Sequence, residues 1–253
     1  MAVIAVTSGM GTGVKYVAEH VARRLGLELV HREIGESGHA VAPNTQRTLH
    51  ESQRSRWDAG LAWLNAAGDM GGLDELESVC RLAQRGNVLI CGATPLHFLS
   101  DLTEVIKVRV RTTMALRVRR IMACMGTDQP DMALAKILLG DQRQSDALRR
   151  MFNIDDAENP DLYDLVIDTG REPAENCALQ IVKWAARPSE NAARTRWAEL
   201  DTMLDQIRSL RSHPTNETRD GHTGSSTRLS SIHPSFHGAQ LQPILSARVA
   251  RRG

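Results

Sequence analysis

The stretch VIAVTSGMGTGVKYVAEHVARRLG, Val3 to Gly26, decides how this chain folds. Val3–Thr7 is an apolar run of strand length. Gly9, Gly11 and Gly13 then mark a turn, and Lys15–Leu25 places Val17, Val21 and Leu25 at four-residue steps with Ala18 and Ala22 beside them. That spacing predicts a helix with one apolar face, closed by Gly26 as its C′ residue. Glycines let consecutive backbone N–H groups turn toward one point, and a helix N-terminus adds partial positive charge there, so strand, turn and helix in immediate succession suit a phosphate group. The same glycines would also serve a tight turn that binds nothing.

The turn departs from the phosphate-loop pattern GxxxxGK[ST]. Counted from Gly9, Val14 stands where that pattern has glycine and Tyr16 where it has Ser or Thr, so the hydroxyl that would ligate magnesium is missing. Lys15 is the cation expected nearest a phosphate held by Gly9, Gly11, Thr12, Gly13 and Val14, its other reading being an exposed first-turn lysine of no consequence.

Outward from this stretch, strand-length apolar runs recur at Leu27–Val30, Val88–Cys91, Val105–Val110 and Leu165–Asp168, with helical patterns between most of them. The alternation predicts an α/β fold with a parallel sheet flanked by helices. Met114, Val118, Ile121, Met122 and Met125 follow helical spacing up to Gly126 and read as core, while Pro130–Leu139 and Gln142–Met151 suggest two more helices. Between Gly35 and Gly72 glycines and Pro43 punctuate a polar stretch with one helix near Thr45–Ala67. A last helix is expected at Ala193–Leu210, and His213–Arg252, rich in Ser, His, Thr, Gly, Pro and Arg, reads as a disordered tail.

A formal net charge of +1 on 253 residues argues against nucleic acid or an anionic membrane as partner, so any anion site must be local. Cys80, Cys91, Cys124 and Cys177 lie apart without a CxxC pair and read as small buried thiols in a reducing, cytoplasmic compartment. The histidines, four of them in the tail, lack metal-ligand spacing, and no GxSxG element points to a hydrolase.

In order along the chain, GTGVK at Gly11–Lys15, LGLELVHREI ending at Ile34, RGNVLICGA at Arg85–Ala93, VIKVRVRTTMALRVRRIMACMG at Val105–Gly126, GDQRQSDALRRMFNID at Gly140–Asp155 and NPDLYDLVIDTG at Asn159–Gly170 resemble the cytidylate kinase-like family of P-loop nucleoside monophosphate kinases. The resemblance covers roughly residues 1–34 and 82–186. It implies a P-loop NTPase-like three-layer domain over residues 1–187 with a five-stranded parallel sheet, a poorly matching middle segment at 35–75 and a lid-like helical region at 112–157, after which residue pattern gives a helix at 188–211 and the tail at 212–253. It also implies ATP and magnesium as cofactors and transfer of the γ-phosphoryl to a nucleoside monophosphate of the CMP or dCMP kind. Where the family carries an arginine between two glycines, this chain has Ile90-Cys91-Gly92-Ala93.

Phosphoryl transfer rests on cations that neutralise oxygens, so arginines are the residues to look for. Arg117 and Arg120, three apart, can point the same way from one helix, and Arg143, beside Asp141, matches the lid pattern Asp-x-Arg. The expected catalytic set is Lys15, Arg143 and Arg120; Arg117, Asp141, Arg149 and Arg150 belong to the lid, and Arg32 faces the acceptor. A solvated helix face with ordinary ion pairs is the other reading of these arginines, and a nucleotide-binding regulatory protein without turnover is the other reading of the whole.

Overall fold

The computed structural model describes residues 2–32, 55–187 and 192–212, with the side chains of 192–197 outside the description. The tail beyond 212, most of the polar middle segment and the first part of the helix expected near Thr45–Ala67 lie outside the described residues.

The strands are β1 (Val3–Ser8), β2 (Glu28–His31), β3 (Val88–Cys91), β4 (Val105–Arg111) and β5 (Leu165–Asp168). They form one parallel sheet in the order β2-β3-β1-β4-β5, with Val3 of β1 in register with Val88 and Val105 on its two sides. Strands buried on both faces read as continuous apolar runs, which is why VIAV and VLIC are legible in the sequence.

On one face, helices α1 (Val14–Leu25) and α7 (Ala174–Ala185) bury Val17, Val21, Cys177 and Ile181 against Ile4, Val6, Val108 and Ile167. On the other lie α2 (Arg56–Ala66), α3 (Met70–Arg85), α4 (Ala93–Phe98), the end of α6 (Pro130–Phe152) and α8 (Ala192–Ser212). Helix α5 (Met114–Met125) packs on α6 through a small cluster of Ile121, Ala133 and Ile137, joined by the partly buried Met10, Val118, Met122 and Met125. The methionine stripe is core at that end, whereas Met114 is exposed.

Three expectations change. The helices expected at Pro130–Leu139 and Gln142–Met151 are a single helix, α6. An interior glycine costs a helix only about 1 kcal/mol, and Gly140 is where the Met10 side chain lies against it, 3.2 Å from where a Cβ would stand. Gly71 and Gly72 do not break the chain but form the first turn of α3, capped by Asp69, whose carboxylate accepts from the Gly72 N–H at 2.8 Å. A Cβ on Gly72 would meet Leu64 Cδ2 at 2.5 Å, so the glycine serves close helix packing. Cys124 is exposed, unlike the three other cysteines, because it lies on the outer face of α5. Helix α8, where a helix at Ala193–Leu210 is expected, buries Leu200, Met203, Leu204 and Ile207 in the same core cluster as α2 and α3, and its Gln206 accepts from the Trp57 indole N–H.

Buried polar groups concentrate near α4. His97 is fully buried beside the rings of Phe152 and Tyr163, at 5.6 and 6.3 Å between centroids. Burial, then the charges of Arg56 and Arg109, push its imidazole down to about 3. The unfolded chain binds that proton near the ordinary histidine value of about 6.5, so in the window between the two the unfolded state holds one proton more and stability falls with falling pH. Urea unfolding should show this as a loss of up to about 1.4 kcal/mol per pH unit below pH 6 that His97→Gln removes; equal slopes in the two proteins would contradict it.

Candidate active site

The glycine loop, residues 9–13, leaves the carboxyl end of the central strand β1, the position where open parallel sheets place their ligands. Gly11 and Gly13 have φ of 80° and 82°, a left-handed conformation that glycine adopts without strain, and Gly13 caps α1. The loop is clamped from behind by α5. The Arg117 Nε–H donates to the Met10 carbonyl at 2.6 Å, and the Arg120 guanidinium donates to the Thr12 carbonyl at 2.6 Å and, more weakly, to that of Gly11 at 3.4 Å.

In a trans peptide the C=O of one residue and the N–H of the next point in opposite directions. Fixing the carbonyls of Met10, Gly11 and Thr12 on the α5 side therefore turns the N–H groups of Gly11, Thr12 and Gly13 away from it. A cleft of about 530 Å³ opens along the loop, lined by Ser8 through Lys15 and, from α6, by Gly140, Asp141, Arg143 and Gln144.

Arg117 also holds the Asp141 carboxylate bidentately, at 2.8 and 2.6 Å, which ties α5 to α6 across the end of the cleft. Arg120 reaches Thr169 as well, through its hydroxyl at 3.0 Å and its carbonyl at 3.1 Å, and so fastens the loop to the end of β5. Gln144 donates to the Ser8 carbonyl at 3.3 Å.

The structure thus brings the expected loop residues together with Lys15, Asp141 and Arg143. Lys15 and Arg143 are exposed side chains with no ion pair among the described residues, and both border the cleft. Arg117 and Arg120 have protein partners on the far side of the loop. Arg149 and Arg150, at the end of α6, bond to Asp155 and to the Asp146 carbonyl and do not line the cleft. Arg32 follows β2 at the sheet edge, where its guanidinium meets Glu75 at 3.3 Å. Residues that sequence reading passed over are Gln144, next to Arg143, and Thr169, which stands inside the quoted run NPDLYDLVIDTG. Only the packed structure shows either to touch the loop.

The Thr12 hydroxyl is buried without a hydrogen-bond partner, an orphan of the kind a bound ligand satisfies. The cleft's size, its row of N–H groups, its two unpaired cations and this orphan fit a polyphosphate. Asp141, the one carboxylate in the lining, is already engaged by Arg117. Magnesium, which keeps several waters and takes phosphate oxygens as ligands, would therefore be carried with the nucleotide rather than by a protein cage.

Prediction and control come from two glycines. At Gly11 a Cβ would stand 2.9 Å from the Arg117 carbonyl oxygen, whereas at Gly26, also left-handed with φ 64°, it would meet nothing within 4 Å. Gly11→Ala and Gly26→Ala should each lower the melting temperature by a few degrees, since both carry a left-handed cost of about 1–2 kcal/mol. Only Gly11→Ala should weaken ATP binding, by roughly tenfold or more, measured by calorimetry.

A parallel sheet with a glycine loop at its central strand, a helix behind the loop and a helical pair beside the cleft defines the P-loop kinase fold. The model of the cytidylate kinase-like family matches residues 3–171, and the chain belongs to that family. No curated protein matches it. Among solved structures, an uncharacterized protein from Eubacterium ventriosum ATCC 27560 superimposes with a TM-score of 0.55 at 17% identity, covering 73% of this chain and 97% of its own. A shikimate kinase from Acinetobacter baumannii gives 0.38 at 18% identity, over 73% of this chain and 92% of its own. A gluconokinase from Sinorhizobium meliloti 1021 gives 0.37 at 15% identity, over 84% and 98%. No helix among the described residues is long and apolar enough to cross a membrane.

Proposed function

We propose that this protein transfers the γ-phosphoryl group of ATP to a nucleoside monophosphate, with CMP or dCMP as the acceptor. The observation that carries the reading is the cleft at residues 8–15, where the loop's N–H groups are turned forward by arginines bonded to its carbonyls. In this reading the N–H groups and Lys15 hold the donor phosphates, and Arg143 reaches from α6 to the transferring group. Its charge counts most as negative charge spreads over the phosphoryl oxygens, which gives stabilisation specific to the transition state. Arg117 and Arg120 act as positioning residues. They hold the loop open and contact no phosphate, which gives these two expected site residues a role different from that of Arg143.

The test is to incubate the protein with ATP, magnesium and a panel of nucleoside monophosphates. A diphosphate product above a Lys15→Ala control, greatest with CMP or dCMP, is expected; none above that control would refute the reading. Val14 and Tyr16, in place of glycine and Ser or Thr, favour a second reading, in which the protein binds nucleotide for regulation without turnover. Saturable ATP binding in calorimetry with no product would establish it.

A further inference from the structure

On the face of the sheet opposite α1, the central strands end in a buried cationic group outside the glycine cleft. Arg109 is in register with Thr7, and its side chain emerges from β4 between the apolar Val108 and Val110 positions of the other face. The residue is 4% exposed, its Nε–H has no acceptor, and its NH1 makes only a long 3.4 Å contact with the Thr7 hydroxyl. His97, on which the Arg109 charge acts, is 0% exposed beside Tyr163, with both ring nitrogens unpartnered. Arg56, at the start of α2, acts electrostatically on His97 and Tyr163 and makes no hydrogen bond or ion pair with the described residues.

The acids nearby lie on the rim. Glu158 closes on the Arg109 NH2 but is 55% exposed, and the exposed Asp156 accepts the Glu158 backbone N–H. A buried guanidinium is expensive unless paired and fully hydrogen-bonded, and this one is only partly so. A valine would suit the strand better. The interior of the group holds donors that lack acceptors, and its one close counter-ion is a surface side chain that can swing into water.

We infer that Arg109 and Arg56, with His97, receive the phosphate monoester of the acceptor substrate, and that Glu158 occupies the place of that anion until it arrives. Thr7 is two residues before Gly9, so a phosphate held here lies on the same carboxyl edge as the donor cleft, approached from the opposite face of the sheet. The inference rests on the proposed transfer to a monophosphate and names the residues that hold its acceptor.

Calorimetry on the full chain with inorganic phosphate, CMP, acetate and ATP tests it. Arg56 is partly exposed, so Arg56→Gln should fold; it is expected to weaken phosphate and CMP binding by about tenfold while ATP binding is unchanged. Glu158→Gln, at the exposed rim, should tighten both by a few fold, because the anion no longer competes with a carboxylate. Unaltered phosphate and CMP affinity in both variants would overturn the inference, and so would acetate binding as tightly as phosphate. The two proposals fail separately. If CMP is phosphorylated with an unchanged KM in both variants, the kinase reading stands and this site falls. If no monophosphate is phosphorylated but phosphate binding still depends on Arg56 and Glu158, the site stands and the kinase reading falls.

Discussion

Arg143→Ala should lower kcat by about 10²–10³-fold while the melting temperature stays within a degree or two. Removing one preorganised transition-state contact costs on the order of 3–4 kcal/mol of barrier, and Arg143 is the α6 arginine that borders the cleft with no partner among the described residues to compete for it. The same exposure means that little native packing is lost with it, since surface substitutions away from buried networks usually change stability by less than about 0.5 kcal/mol. ATP affinity should fall much less than kcat, because the guanidinium matters most for charge that develops during transfer. Arg149→Ala is the matched control. It removes an exposed arginine from the same helix that pairs with Asp155, and it should leave kcat unchanged. Steady-state and single-turnover kinetics on the two variants decide the matter; equal losses would place the effect in α6 as a whole rather than in Arg143.

The second large effect is on stability. Leu204→Ala in α8 should destabilise the protein by about 2–5 kcal/mol, which for a chain of this size lowers the melting temperature by about 5–15 °C. Leu204 is buried in the cluster that also contains Leu64, Leu76 and Trp57, so its removal leaves a cavity between α8 and the helices beneath. The helix is further tied by Arg211, which pairs with Asp74 and Glu77 of α3, and by Gln84, which donates to Asp201 at 2.7 Å. Thermal unfolding followed by circular dichroism should remain a single transition in the variant, because α8 shares a core with α2 and α3. A separate low-temperature transition for a detached helix would contradict this. The helix lies beyond the part matched by the family model, residues 3–171, and shares the core of that part.

How much of this could be read from residues alone differs between the sheet and the site. The strands were legible because a parallel sheet covered on both faces demands unbroken apolar runs, and VIAV, VLIC, VIKVRV and LVID supply them. The first helix was legible from its period and from Gly26. Helix ends marked by glycine were less so: Gly71, Gly72 and Gly140 look like punctuation, yet they sit inside α3 and α6, and at Gly72 and Gly140 a neighbouring side chain needs the space.

The glycine turn and Lys15 follow from local order along the chain, since a loop between strand and helix places its own backbone groups and a nearby cation without help from afar. Arg143 is expected only through the resemblance of Asp141 and Arg143 to the lid pattern Asp-x-Arg, and it borders the cleft because α6 packs there. The roles of Arg117 and Arg120 do not follow from local order either. Sequence spacing puts them on one face of a helix and cannot say whether that face meets a phosphate or the back of the loop; the packing of α5 decides for the loop. The same holds for Arg109, which in sequence is one charge in an alternating strand and in the fold is a guanidinium shut in beside Thr7. Backbone pattern is a local property that periodicity encodes, whereas the partner of a long side chain depends on which distant element lies within its reach, and that is settled only when the layers pack.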